Sequence, residues 1–287
     1  METDSLTANE KAKIASNFLL LAPPCEFNEV FTDVRILVND DELLKEKVAP
    51  TFAQYNKEQF LQTKLADKNY RVLITKYGDL GNDRFYDPRS QVSFHFDHLK
   101  RLATDITSCD VENKEIESTR KAIEAKAIEY VDQHYRNGAV SVYSKIKDNL
   151  SLIIVCIESH YSKTFTSARW RSEWTIYCKK SSDHSDIDVK GIVKIQSHLY
   201  EEGNVQLLAS KKIEFTNKNS PIDQLVKEIF EKILKNESTY QEAIGDNLKN
   251  ISNTTFKSLR RQLPVTHNKI DWNKIVGYKI GAELFRS

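Results

Sequence analysis

The stretch that decides the fold runs from Ala139 to Phe215: AVSVYSKIKDNLSLIIVCIESHYSKTFTSARWRSEWTIYCKKSSDHSDIDVKGIVKIQSHLYEEGNVQLLASKKIEF. It holds five runs rich in β-branched and aromatic residues, each about as long as a strand. Turn residues separate runs at Asp148-Asn149, at 181–186 and at Glu202-Gly203-Asn204. The pattern predicts a central antiparallel sheet of about five strands, and one face of that sheet must be covered.

A long helix after the sheet is predicted to provide the cover. Ser220 suits the N-cap position and Pro221 suits the first helical position. Apolar residues then keep helical spacing at Leu225, Val226, Ile229, Phe230, Ile233, Leu234, Tyr240, Ile244 and Leu248. Gly245 weakens the pattern, but nothing else ends the helix before Pro264.

The segments before the sheet predict helices, then strands, then another helix. Helical patterns cover 7–21, with capping-box spacing from Thr7 to Glu10, then 26–38 and 41–60, where Pro50 is a helix breaker. From Tyr70 short apolar runs between turn residues predict a β meander, in which 77–82 (YGDLGN) is a tight turn rather than a phosphate loop. The polar segment 104–118 is predicted as a loop, before a helix over 114–135.

The predicted fold class is α+β. Its expected parts are an N-terminal helical hairpin or bundle (1–60), a small β meander (61–103), a polar linker and helix (104–137), the central antiparallel sheet (138–216), the long C-terminal covering helix (220–263) and a terminal amphipathic helical extension (264–287).

The charge of the chain is uneven. The 287 residues have a net charge of +1 and are 40% hydrophobic, which is enough for a substantial core. From Phe256 onward there are seven basic and two acidic residues, so this end carries +5 and the rest carries −4. A basic end on a mildly acidic body predicts an acidic partner.

Cysteine usage and hydropathy predict a cytosolic protein. The four cysteines are far apart, without the spacing of a metal site, as expected in a reducing compartment. The N-terminus has no apolar signal core, and no apolar run is long enough to span a bilayer.

No enzyme signature emerges, so the chain is expected to be neither catalytic nor dependent on a cofactor or metal. His95 and His98 lack a third ligand and are interpreted as surface or interface histidines. Glu158, His160 and Glu173 are interpreted as partly exposed sheet residues or interface polar groups rather than acid/base pairs. In the RWRSEW run, Trp170 and Trp174 share a strand face and are predicted to be core.

The last residues carry the strongest sign of a binding function. After Pro264 an apolar seam at helical spacing is flanked by lysines. Docking on the protein's own core is the usual fate of such a helix. Its position after a proline and beyond the covering helix, together with its charge, favours an external partner.

The chain resembles the alpha subunit of the heterodimeric F-actin capping protein over essentially its whole length. The resemblance rests on residues 22–24 (APP) with 26–31 (EFNEVF), 52–56 (FAQYN), 78–81 (GDLG), 169–174 (RWRSEW), 200–207 (YEEGNVQL), 256–266 (FKSLRRQLPVT) and 269–275 (KIDWNKI). It implies a non-catalytic cytoplasmic protein of the cortical actin cytoskeleton that pairs with a beta subunit, the two sheets joining edge to edge. It also implies calcium-independent binding to the barbed end of actin filaments, which blocks subunit addition and loss without severing.

The resemblance also implies the binding residues. The actin-binding set is Lys257, Arg260, Arg261, Lys269, Trp272, Ile275, Ile280 and Leu284, and its first three members are also expected to bind phosphoinositides. His267 stands where the family usually has an arginine, so that contact is expected to be weaker. Capping regulators are further expected partners.

Two alternatives come from other classes. The basic amphipathic end also suits an adaptor that binds phosphoinositides at a membrane surface. Nucleic acid is disfavoured because no other basic face carries stacking aromatics. A hydrolase would rest only on the scattered His and Glu residues.

Overall fold

The computed structural model describes residues 6–109, 116–147, 150–178, 187–199, 205–218 and 221–253. The chain divides into two units between Lys235 and Asn236, inside its last helix. The residues up to Lys235 are therefore described as one body.

Helices form the N-terminal part. They are α1 (Ala8–Leu20), α2 (Phe27–Val38), α3 (Asp41–Leu43) and α4 (Ala49–Glu58), with a π-helical turn at Leu44–Val48 between the last two. The capping box predicted at the start of α1 is confirmed, since Thr7 Oγ1 accepts from the Glu10 amide and the Glu10 carboxylate accepts from the Thr7 amide at 2.9 Å. The helices share one apolar core, in which Phe27 packs against Phe52 and Tyr55.

The π-helical turn precedes Pro50, the helix breaker within the predicted third helix. Proline cannot donate to the helix ladder, and its ring collides with the carbonyl one turn earlier. Pro50 lies in the first turn of α4, directly after the wider turn at Leu44–Val48, where the Ala49 amide donates to Leu44 O. The single third helix predicted over 41–60 is thus interrupted by the π-helical turn, and its last part, α4, ends at Glu58.

Two small antiparallel sheets follow. Strands β1 (Leu61–Lys64) and β2 (Arg71–Ile74) form a pair, and β3 (Asp79–Gly81), β4 (Arg84–Asp87), β5 (Val92–Asp97) and β6 (Leu102–Ser108) form a four-stranded sheet. The tight turn predicted over 77–82 is confirmed only at its end: β3 occupies Asp79–Gly81, and the turn to β4 is made by Asn82 and Asp83, both with positive φ. The loop predicted from Thr104 is wrong for Thr104–Ser108, which belong to β6.

Helix α5 (Glu117–His134) leads into the central sheet. The five predicted strands are β7 (Ala139–Lys147), β8 (Leu150–Lys163), β9 (Thr166–Cys178), β10 (Ile187–Leu199) and β11 (Val205–Asn217), and they form one antiparallel sheet in the order β11-β10-β9-β8-β7. Helix α6 (Ile222–Asn253) follows.

One face of the central sheet is apolar and carries the helices. The register places Trp174 between Val155 and Gly191, and the predicted core position of Trp170 and Trp174 is confirmed by exposures of 8% and 0%. Gly191 is required because a Cβ there would meet the Trp174 ring at 2.3 Å. Helix α5 packs on β7 and β8, so the cover begins before the sheet in sequence.

The other face of the sheet is more polar and carries the N-terminal part. Phe60, Leu73, Tyr143 and Cys156 form a buried cluster between β1–β2 and this face. Farther along the sheet, Gln196 donates to Ala22 O at the end of α1. The N-terminal helices and the central sheet are thus joined by direct contacts.

Candidate functional site

The eight residues predicted to bind actin all lie outside the described residues, which end at Asn253. They are Lys257, Arg260, Arg261, Lys269, Trp272, Ile275, Ile280 and Leu284, and the three predicted phosphoinositide ligands are among them. Their roles stay predictions. The described residues show the sheet and the helix that precede this segment.

Strand β11 is an open edge of the central sheet. It pairs with β10 along its whole length, from Leu199↔Val205 to Ile187↔Asn217, and no described strand lies on its other side. Val205 and Leu208 are 50% and 61% exposed. A long edge strand presents unpaired N–H and C=O groups that can pair with another chain. The edge is therefore a candidate partner surface.

The opposite edge of the sheet is covered. Strand β7 contacts β2 and α5 in addition to its partner β8. Its Ser141 hydroxyl accepts from the Leu73 amide at 3.3 Å, and Tyr143 donates to Leu73 O. Sequence reasoning could not choose between the two edges, because the cover of β7 comes from residues some 70 positions earlier in the chain.

The first turns of α6 are fixed beside the end of β11. Lys232 Nζ donates to Thr216 O at 2.7 Å and to Asn217 Oδ1 at 2.6 Å, while Asn217 donates to Glu228 at 2.9 Å. Phe230 packs against Tyr130 of α5. The helix that leads toward the predicted binding segment thus starts next to the open edge. Six of the apolar residues predicted for its buried stripe are buried: Leu225, Val226, Ile229, Phe230, Ile233 and Tyr240.

A buried ion pair joins the polar face of the sheet to the N-terminal part. Arg169 Nε donates to Glu158 Oε1 at 2.9 Å, and the two side chains are 5% and 1% exposed. Gln59, after α4, accepts from Arg169 at 3.2 Å, and Gln62 of β1 donates to Glu158. The interpretation of Glu158 as a partly exposed sheet residue is wrong, because these partners come from distant parts of the chain and enclose it.

Arg171 continues the network without a carboxylate partner among the described side chains. Its guanidinium donates to Glu58 O at the end of α4. Burial, together with repulsion from Arg169, lowers its pKa to about 10. The charged face of the RWRSEW run therefore fixes α4 on the sheet, which is a structural task.

Glu173 and its neighbours do not form an acid/base site. Its carboxylate accepts from the Tyr77 hydroxyl and lies 3.4 Å from Lys76 Nζ. Burial and this hydrogen bond raise the pKa of Tyr77 well above its ordinary value. A neutral tyrosine held by a carboxylate beside a lysine is a satisfied polar cluster.

Cys156 and Cys178 are not activated nucleophiles. All four are free thiols. Burial raises the pKa of Cys156 well above its usual value and that of Cys178 to about 11. Since the thiolate is the reactive form, both thiols are unreactive at neutral pH.

His98 and His198 serve as structural groups. His98 is 9% exposed in its side chain; its ring packs against Phe85 and Phe96, and its Nδ1 receives a hydrogen bond from Asn56 at 3.1 Å. His198 contacts the Glu26 carboxylate at 2.8 Å. The described part of the chain contains no group of three metal-ligating side chains. None of its helices is both long and apolar enough to cross a membrane.

Comparisons with known proteins agree on one family. A family model described as F-actin capping protein alpha subunit matches residues 15–283. The F-actin-capping protein subunit alpha of Caenorhabditis elegans is 43% identical over 279 residues, covering 96% of this chain and 97% of the relative. The subunit of the same name from Dictyostelium discoideum is 36% identical, covering 96% and 98%.

A solved structure has the same fold. The homodimeric actin capping protein alpha subunit from Plasmodium berghei matches with a TM-score of 0.75 at 22% identity, covering 91% of this chain and 100% of that chain. The likeness confirms the predicted α+β class, with N-terminal helices, small sheets, a central antiparallel sheet and a C-terminal helix.

Proposed function

The chain belongs to the F-actin capping protein alpha subunit family, and from this premise we propose that it caps the barbed end of actin filaments as one subunit of a heterodimer with a beta subunit. Capping blocks subunit addition and loss, needs no calcium, and does not sever the filament. The observation that carries the proposal is the family match over residues 15–283, which extends through the basic C-terminal segment.

The open edge at β11 is the proposed surface for the beta subunit. Two sheets that meet at this edge would satisfy the outward backbone groups of β11 and cover Val205 and Leu208. An open edge also fits a second copy of this chain. Light scattering on the lone chain and on the co-expressed pair would distinguish a homodimer from the proposed heterodimer.

The C-terminal segment is proposed to bind actin in two parts. Lys257, Arg260 and Arg261 orient the complex on an acidic actin surface, while Trp272 and the aliphatic residues after it contribute hydrophobic contact. Burial of each large apolar side chain contributes about 1.5–3 kcal/mol at best, and the entropy cost of association offsets much of this. Long-lived capping therefore needs this segment, the basic residues and the beta subunit to act together, each raising the effective concentration of the others.

Seeded actin elongation tests the proposal. The co-expressed complex should stop growth from filament seeds at substoichiometric amounts, equally with calcium and with a chelator. Deletion of 269–287 should weaken capping sharply. Unchanged capping after the deletion would refute the role given to the segment, and absence of capping by the intact complex would refute the function.

A charge-matched comparison isolates the basic residues. Alanine at Lys257, Arg260 and Arg261 should slow the binding of filament ends and reduce its salt dependence. The control replaces three exposed lysines of the N-terminal helices, Lys11, Lys13 and Lys47, which changes the net charge equally. Equal effects of the two triple substitutions would mean that only total charge matters.

The same basic residues are proposed to bind phosphoinositides, which would then regulate capping in the cytoplasm at the cell cortex. The support is the proximity in sequence of three cations to an amphipathic segment, a combination that suits an anionic lipid surface. Co-sedimentation with phosphoinositide vesicles without actin tests this. Vesicle binding by the triple alanine variant at the level of the intact complex would contradict the assignment.

A further inference from the structure

A polar pocket lies between β1–β2, α5 and the start of β7. Its volume is about 350 Å³, and the basic side chains on its wall are Lys64, Arg71 and Arg89. Asp132 is the acidic residue on the same wall. A pocket of this size accommodates a small polar ligand.

Two of the three cations face each other across a strand pair. Lys64 and Arg71 are direct partners in the β1–β2 register. Like charges at directly opposite positions destabilise an antiparallel pair. An anion between the two side chains would replace this repulsion with attraction.

The third cation is held in place by an aromatic ring. The Arg89 guanidinium lies over Tyr70, with Cζ 3.9 Å from the ring centroid. The Tyr70 hydroxyl donates to Asp87 at 2.7 Å, which fixes the ring. Burial raises the pKa of Tyr70 to about 12, so the ring stays neutral beside the arginine.

Gln62, which also donates to the buried Glu158, orients the Arg71 side chain. Arg71 Nη1 donates to Gln62 Oε1 at 2.8 Å, and Gln62 Nε2 donates to Asn137 O at 2.8 Å and to Glu158. One N–H donor of the Arg71 guanidinium is therefore bonded within the protein, and its other N–H donors can bind a ligand. Arginine forks match the oxygens of phosphate groups.

The cations of this pocket have no carboxylate partner among the described residues, since no ion pair there involves Lys64, Arg71 or Arg89. In the pocket beside Glu173, by contrast, two of the three lysines are paired, Lys76 with Glu173 and Lys57 with Asp79. Three cations and one carboxylate around a polar space make an anion site.

We propose that the pocket formed by Lys64, Arg71 and Arg89 binds a phosphate-bearing ligand. The phosphate oxygens accept from the two arginines and the lysine, and the ligand comes either free in solution or as the headgroup of a lipid. The site lies in the folded body of the chain and is separate in sequence from the basic residues near the C-terminus.

The test uses the co-expressed complex with glutamine at Lys257, Arg260 and Arg261, so that the C-terminal cations do not contribute. Isothermal titration with inositol trisphosphate should show binding that weakens with added salt. Glutamine at Arg71 and Arg89 together should weaken it by about a hundredfold or more, because two hydrogen bonds to the charged phosphate are lost. Lys68→Gln removes a nearby charge outside the pocket wall and should change the affinity by less than about twofold.

Two further measurements distinguish a binding role from a structural one. Without ligand, Lys64→Gln should leave thermal stability unchanged or raise it, since it removes the repulsion across the strand pair. With inositol trisphosphate, the melting temperature of the parent complex should rise, and this rise should disappear in the Arg71 and Arg89 variant.

Vesicles containing phosphatidylinositol bisphosphate distinguish the two sources of phosphate. Binding of both probes, with loss in the pocket variant, indicates a lipid headgroup, and binding of the soluble probe alone indicates a free phosphate compound. Either result supports the site. No binding of either probe, or binding that the pocket substitutions leave unchanged, would overturn it.

Discussion

Removing the positive partner of Glu158 should destabilise the protein strongly. Arg169→Met leaves a carboxylate that is 1% exposed with only Gln62 and His160 as partners. Removing one member of a buried ion pair costs about 3–5 kcal/mol, because the remaining charge cannot regain its hydration. A loss of that size is a large part of the stability of an ordinary domain, which is about 5–15 kcal/mol.

Removing both charges should cost less than the sum of the single losses. In the double variant with Met at both positions neither member of the pair remains as a buried charge without its partner, and the main unsatisfied group is Gln59 Oε1, which loses its donor at 3.2 Å. An unsatisfied buried acceptor costs about 1–3 kcal/mol. The coupling between Glu158 and Arg169 should therefore be at least about 2 kcal/mol in a double-mutant cycle.

Urea unfolding of the co-expressed complex, followed by circular dichroism at one fixed protein concentration, measures the cycle, since the stability of a complex depends on concentration. The exposed pair Lys190 and Glu214, 3.5 Å apart on neighbouring strands, provides the control. Its cycle should show almost no coupling, because solvent screens exposed pairs. Additive losses at Glu158 and Arg169 would refute the reasoning.

Substitutions at Gly191 and His98 should also change the stability of the protein. Gly191→Ala should destabilise by about 1–3 kcal/mol in the same urea assay, because its Cβ would collide with Trp174. The control is Gly245→Ala, which should be neutral or stabilising because a Cβ there meets nothing. Equal effects of the two substitutions would contradict the packing argument. Burial lowers the pKa of His98, and the Asn56 amide, oriented by its bond to His98 O, donates to the neutral ring. His98 thus binds a proton more readily in the unfolded chain than in the folded one, so stability should fall as pH drops below about 6.5. His98→Gln should remove that part of the pH dependence. An identical pH profile of stability in the variant would show that His98 is not the source of the dependence.

The sequence predicts the long strands and helices well for physical reasons. Runs such as Leu152–Ile157 are apolar because both faces of the sheet are covered there. The local sequence alone is therefore enough to predict a strand. Strand β6 is different. It lies at the edge of its sheet and is largely exposed, so its sequence LATDITS reads as a polar loop.

Helix α1 shows that a correct helix need not reveal its buried face. The apolar residues that mark it, Ile14, Phe18 and Leu21, are 43%, 58% and 66% exposed. The buried face is formed by Ala12, Ala15 and Leu19, and the two alanines are small enough to allow close packing of α1 against its neighbours. Spacing identifies the helix, but alanine gives too weak an apolar signal to identify the inner face.

The polar contacts between distant segments could not be predicted from the sequence. Gln62 donates to Glu158 and Gln59 accepts from Arg169, both from about 100 residues earlier in the chain, and no local pattern indicates these contacts. The anion pocket depends on the same kind of information. Lys64 and Arg71 flank an ordinary turn, and only the strand register shows that they are direct partners.

We propose that the C-terminal segment and the β11 edge act together in capping. Capping through two attachments depends on effective concentration, which is high only if the attachments keep a suitable separation. Lys232 and Asn217 fix the first turns of α6 at the end of β11, so the helix starts at a set distance from the proposed beta-subunit edge. The Glu158 network in turn holds the N-terminal helices on the same sheet. The fixed start of α6 beside the β11 edge supports the proposal that the terminal segment adds to binding at this edge.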